Sequence, residues 1–170
     1  MTGEYQTIQI KNPLTSATIL YLCPVAEVNA VMKNNPYAAD RPNGKGTVVK
    51  DKRIYRHEIT IQGEFVSTEE MASDHAAAVK TAFGASSVSA MAQLRRLVAL
   101  ALSTGGSFIL VVGDDEYSAT SETGVDYDEG GNTFPQAVID EVRYNISGGI
   151  SRVPYTVKFI VGFPSSSGSA

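Results

Sequence analysis

The chain has 170 residues, 43% of them hydrophobic and 19% charged, with a single cysteine and a formal net charge of −4. A domain of this size buries about 70% of its unfolded surface and folds without a disulfide or metal, so small-scaffold stapling and global disorder are both excluded. The acidic balance excludes a protein that holds nucleic acid through a surplus of Lys and Arg, and the lone Cys23 excludes an intramolecular disulfide.

Residues 4–22 predict a hairpin. Tyr5, Thr7, Ile8 and Ile10 are strand formers, Thr18 to Leu22 is a β-rich apolar run, and Lys11 to Ser16 supplies a turn around Pro13. Residues 23–53 hold Pro24, Pro36, Pro42, Gly44 and Gly46 among basic residues. They predict an extended arm, with a short helix over Val25 to Met32 from apolar positions 25, 28, 31 and 32. From Ile54 to Ser67 the period becomes two. Tyr55, His57, Ile59, Ile61 and Phe65 share one face of a half-buried strand, and Gly63 marks a bend.

A short helix from Glu69 to Thr81, stopped by Gly84, fits the alanine-rich stretch that follows. The best helix spans about 87–103. Met91, Leu94, Leu97, Val98, Ala101 and Leu102 form its apolar stripe, Gln93, Arg95 and Arg96 sit off it, and a serine at 86, 87 or 89 caps it before Gly105-Gly106 ends it. Ser107 to Val112 predicts a strand covered on both faces, followed by a turn at Gly113-Asp114-Asp115 and a strand pairing back from Glu116. Residues 123–135 predict an acidic loop. The strongest signal closes the chain. Val138, Asp140, Val142, Tyr144 and Ile146 alternate against Ile139, Glu141, Arg143 and Asn145. After Ser147-Gly148-Gly149, Val153, Tyr155, Val157, Phe159, Val161 and Phe163 alternate again, which predicts a long amphipathic hairpin. Residues 164–170 read as a flexible tail.

The chemical motifs fail one by one. His57 lies on a strand's apolar face, His75 on a possible helix, and neither has the spacing of a metal site. Asp114, Asp115 and Glu116 read as a solvated turn. Asp126 to Gly130 lacks the alternating acidic ligands and distal glutamate of a calcium loop. Gly44-Lys45-Gly46-Thr47 lacks the leading glycine and strand of a phosphate loop. Cys23 beside Pro24 fits a strand end better than a nucleophile. Tyr144, Tyr155, Phe159 and Phe163 have only Arg143, Arg152 and Lys158 among them, too few and beside acidic neighbours for a base-stacking platform, so core packing is their reading. No catalytic, cofactor or metal residue is predicted, and the expectation is a non-enzymatic protein. Residues 1–20 lack a basic segment leading into an apolar core, and no apolar run approaches a membrane span. The expectation is therefore a soluble chain made in a reducing cytoplasm, without membrane insertion.

From Ile54 to Phe163, the strand HEITIQGEF, the helix MAQLRRLVALALSTGG, the strand SFILVVGDDEYSA and the closing pair VIDEVRYNISGGISRVPYTVKFIVG resemble the tail-tube fold of long-tailed phages and related contractile injection systems. The resemblance covers about two-thirds of the chain and rests on element order. It implies a β-rich α+β fold: an antiparallel β-sandwich or half-barrel with one flanking helix and a long arm, in a single domain over 1–163. It also implies a structural protein of a virion tail that forms stacked hexameric rings, with DNA passing through the lumen unbound and with sheath, baseplate or terminator proteins as partners. The alternatives are a baseplate, distal-tail or tube-end protein of the same fold, or a monomeric β-rich binding module. The candidate inter-subunit residues are Lys33, Tyr37, Arg41, Lys45, Lys50 and Arg53 in the arm, and Asp126, Tyr127, Asp128 and Glu129 in the acidic loop.

Overall fold

The computed structural model describes residues 8–12, 14–23, 25–34, 37–40, 47–50, 55–103, 108–112, 115–116, 136–148 and 151–162. Two four-stranded antiparallel sheets face each other across the core. The first takes the order β2-β1-β7-β8, from β1 (Ile8–Lys11), β2 (Thr18–Leu22), β7 (Ile109–Val112) and β8 (Asp115–Glu116). The second takes the order β3-β6-β10-β9, from β3 (Val25–Asn34), β6 (Tyr55–Phe65), β9 (Gln136–Tyr144) and β10 (Val153–Gly162). A separate hairpin pairs β4 (Tyr37–Asp40) with β5 (Thr47–Lys50). Two helices complete the fold, α1 (Ser73–Phe83) and α2 (Ala90–Leu102). The sandwich is a β-rich α+β fold, with no closed barrel among the described residues.

The expected N-terminal hairpin is present. Its turn is held by Asn12, whose Oδ1 accepts from the N–H of Leu14 at 2.8 Å, while Asn12 N–H donates to the carbonyl of Ala17 at 2.9 Å. The alternation of β6 is also as predicted. Ile59, Ile61 and Phe65 are buried while Gln62 and Glu64 are exposed. The core joins Ile8, Ile10, Leu20, Leu22 and Leu110 of one sheet to Ile59, Ile61, Val157 and Phe159 of the other, with Leu94 and Leu97 of α2 between them. Phe65 stacks on Tyr155 with centroids 4.2 Å apart.

α2 starts at Ser89, whose Oγ accepts from Ala92 N–H at 3.1 Å, one of the serines expected as the cap. α1 ends on Gly84 with φ 62° and ψ 32°, the left-handed cap that glycine adopts without strain. Both helices form, so two flank the sheets where the fold class expected one.

Three expectations are corrected. Val25 to Met32 is a strand, not a helix or part of a loose arm. Its apolar residues fit either period, and pairing with β6 from Val25↔Gly63 to Asn34↔Tyr55, interrupted only by a register shift between Val25 and Glu27, satisfies the backbone on that side. Gln93, expected off the apolar stripe, is fully buried, its Nε2 donating to the carbonyl of Val66 at 2.7 Å. Finally, β9 does not keep the alternation read from its sequence. Phe159 pairs with Ile139 and Lys158 with Glu141, which leaves Asp140 as an extra residue in a bulge. The bulge switches the phase, so Ala137, Ile139, Val142 and Tyr144 share the core face and Val138 turns outward.

Candidate functional site

The sheet β3-β6-β10-β9 has one covered face and one open face. Its rows run straight across the four strands: Val28, Ile61, Val157 and Val142 on the core side, and Glu27, Gln62, Thr156 and Arg143 on the other. The open face is polar apart from Val31, Ile160 and Val138, which share one row with Glu58. Lys158 Nζ lies 3.3 Å from Glu58 and 3.6 Å from Asp140, Arg143 pairs with Glu141, and Arg152 lies 3.7 Å from Glu64 and 3.9 Å from Glu70. Among the described side chains of this face, Glu27, Glu58, Glu64, Asp140 and Glu141 outweigh Lys158, Arg143 and Arg152. The shallow depression at its centre, about 290 Å³, is lined by Thr60, Gln62, Glu141, Arg143, Thr156 and Lys158. Apart from Lys158–Glu58, whose carboxylate is largely buried, these pairs are exposed and contribute little to stability.

Both outer strands of this sheet are long, and their outer sides carry no strand partner among the described residues, apart from one bridge. Phe108 and Ala137 exchange both backbone hydrogen bonds, at 2.8 and 2.7 Å, and so occupy the outer side of β9 at its first turn of pairing. Beyond Ala137 that side has no strand partner among the described residues. Near the other end of β9 lies an apolar groove of about 310 Å³, lined by Met91, Leu94, Val98 and Leu102 of α2 and by Tyr144 and Ile146. Leu102 is 76% exposed, Tyr144 51% and Ile146 54%.

Among the described residues, burial displaces two titratable groups of the interior. The Cys23 thiol is pushed up to about 11, and the Tyr155 hydroxyl is raised by burial and then by Cys23. Neither is a reactive group at neutral pH. Tyr155 Oη and Gln93 Oε1 have no hydrogen-bond partner among the described residues. Arg96 donates from Nη1 to the carbonyls of Ile19 and Ala82, both at 3.0 Å, and its guanidinium lies 3.5 Å from the centroid of Phe83. Among the described residues no group of three or more His, Cys, Asp or Glu side chains is placed to hold a metal, and no helix is long and apolar enough to cross a membrane.

The residues expected to make contacts between subunits fare unequally. Lys33 lies near the end of β3, in register with Arg56, and Tyr37 pairs across the small hairpin with Lys50. Arg41, Lys45, Arg53, Asp126, Tyr127, Asp128 and Glu129 lie outside the described residues, as does the tail 164–170. Of the acidic turn, Asp115 and Glu116 form β8 against Val111 and Val112. The edge residues Glu27, Asn29, Val31 and Arg143 were not singled out. Their signal was the alternation itself, which says which residues share a face but not which strand ends up on the outside.

No family model matches the chain, and no curated protein matches it. Two solved structures are similar over nearly its whole length. One is a chain from the virion of a native gene transfer agent particle, at 12% identity and a TM-score of 0.46, covering 96% of this chain and 98% of that one. The other is from the tail of an empty gene transfer agent particle with C6 symmetry, at 10% identity and a TM-score of 0.46, covering 95% and 94%.

Proposed function

We propose that this chain is a structural subunit that assembles edge to edge into hexameric rings, and that the rings stack into the tail tube of a virus or phage-like particle. One observation carries the reading: an antiparallel sheet of four strands whose two long outer edges, beyond the bridge at Ala137, have no strand partner among the described residues. Because the strand number is even, β3 and β9 run in opposite directions. A rotation that sets β9 of one copy beside β3 of the next therefore continues the sheet in antiparallel sense. Open edges of this length invite uncontrolled pairing, and a closed ring removes them. The tail-tube resemblance of residues 54–163 points the same way.

In such a ring the face opposite the core lines the lumen. With Lys33 and Arg56 in register on the same face, acids and bases there are near balance, so the face offers no surplus of positive charge to hold DNA as it passes. The arm residues Lys33, Tyr37, Arg41, Lys45, Lys50 and Arg53, and the loop residues Asp126 to Glu129, are then the candidates for contacts between stacked rings. Sheath, baseplate or terminator proteins are the partners at the outside and the ends. The subunit would be made in the host cytoplasm and reside in the virion tail, acting without catalysis or cofactor.

Negative-stain electron microscopy beside light scattering tests the reading. Rings or hollow tubes with six-fold class averages are the expected result, together with no gel shift of duplex DNA at physiological salt. A particle that stays at 18.1 kDa at every concentration, with no rings, would overturn it in favour of a monomeric β-rich binding module.

A further inference from the structure

The register of the contact between copies can be derived from the strands, given the edge-to-edge reading above. Asn145 N–H donates to the carbonyl of Pro154, so it points toward β10. By alternation the backbone groups of Val142 and Tyr144 point away from β10, onto the open side of β9. Carrying the same alternation across β10 and β6 leaves the groups of Val28, Ala30 and Met32 on the open side of β3. Residues of these two sets must pair, which restricts the shift between copies to an even number.

Three constraints choose among the even shifts. A level continuation would lay Met32 of the next copy against Ala137, where Phe108 already holds both backbone groups. It would also leave the strands parallel to the ring axis, whereas closed sheets tilt by roughly 35–45°. A shift of one residue per strand, as in eight-stranded barrels of shear eight, gives a tilt of about 36°. For four strands per copy that is four residues. The sense of the shift follows from the fence at Ala137, since only sliding β3 toward Tyr144 clears Phe108. The last residue of β3, Asn34, then falls opposite Asp140, so the new ladder ends at the bulge and need not absorb it.

We propose that β9 of one copy pairs with β3 of the next at this four-residue shift, setting Glu141 opposite Lys33, Arg143 opposite Val31, Tyr144 opposite Ala30 and Ile146 opposite Val28. The chemistry of each pair fits. Glu141 meets a residue of opposite charge. Val31, 48% exposed on the open face, lies under the aliphatic stem of Arg143, whose side chain is 76% exposed. On the core side, Val28 and Ala30 of the next copy extend the apolar surface of Tyr144 and Ile146 and close the groove against α2. A shift two residues shorter sets Glu141 against Val31 and leaves Arg143 facing Asn29. The groove is thus the seat of a second copy of this chain, and Lys33 meets that neighbour on the opposite face of the sheet.

Disulfide trapping in the full chain tests the register. Arg143 and Val31 form a non-hydrogen-bonded pair in the proposed ladder, the closely spaced kind that accepts a disulfide. Within one copy they sit on opposite edges three strand spacings apart, about 14 Å, so any cross-link joins two copies. The buried Cys23 stays silent. Under a mild oxidant, R143C/V31C is expected to give a ladder of covalent multimers on a non-reducing gel, at least about tenfold over R143C/E27C, the pair demanded by a level register. Preferential trapping of R143C/E27C, or rings in the microscope with neither pair trapped, would overturn the register and leave the assembly reading standing. Neither trapping nor rings would overturn both. The charge pair gives a second readout. E141K and K33E should each weaken ring formation, and E141K/K33E should restore it; a double variant no better than the singles counts against the register.

Discussion

Arg96→Ala removes a side chain that ties three elements together. Its guanidinium donates to the carbonyl of Ile19 in β2 and to that of Ala82 in the last turn of α1, both at 3.0 Å, and it lies 3.5 Å from the ring centroid of Phe83. The carbonyl of Ala82 is one of those a helix leaves without an internal partner at its C-terminus. A hydrogen bond from a charged donor contributes about 1.5–3 kcal/mol when well shielded. Arg96 is only half-buried, so each bond is taken at or below the lower bound. The cation–π contact adds about 0.5–1 kcal/mol. The expected loss is about 3 kcal/mol, equivalent to roughly 6–12 °C in Tm for a chain of this length. Urea unfolding at low protein concentration, followed by circular dichroism, measures it as a shift in midpoint at unchanged slope. Arg96→Lys should recover less than half, because an ammonium lacks the planar fork and the stacking surface. A loss below about 1 kcal/mol in the alanine variant, or full recovery by lysine, would show that the clamp is incidental and that α1 is held by its apolar contacts alone.

Cys23 should be inert to a thiol reagent at pH 8 in the native protein and react fully in denaturant, because burial pushes its thiol up to about 11 from an ordinary value of 9.0. The native state thus holds this proton more tightly than the unfolded state does. Its contribution to stability is complete below pH 9 and is lost as pH rises from 9 through about 11, so Cys23→Ala should flatten that part of the pH–stability curve. Ser89→Ala should cost about 1 kcal/mol through the lost bond to Ala92 N–H, measured by thermal unfolding. Phe159→Ala, at a fully buried position, should cost about 3–5 kcal/mol, whereas Leu102→Ala, largely exposed, should change stability of the unassembled chain by no more than about 0.5 kcal/mol.

Local pattern alone determined much of this protein. The period of two in β6 and β10, the stripe of α2 and the turn chemistry at Asn12 and Gly84 are written in neighbouring residues, because which face a side chain takes and where a helix stops are decided within a few positions along the chain. The two outcomes that matter most for assembly were decided elsewhere. Val25 to Asn34 could serve as helix, arm or strand, and only the free edge of β6 made it a strand. The bulge at Asp140 depends on how β9 lies between β10 and Phe108, contacts that no local period encodes, yet it decides which residues of β9 face the core. Which strands stand at the edges of a sheet is a property of pairing across the whole chain. For that reason Val31 and Arg143, proposed to meet a second copy, came into view only in the fold, whereas Lys33 was already a candidate from the sequence.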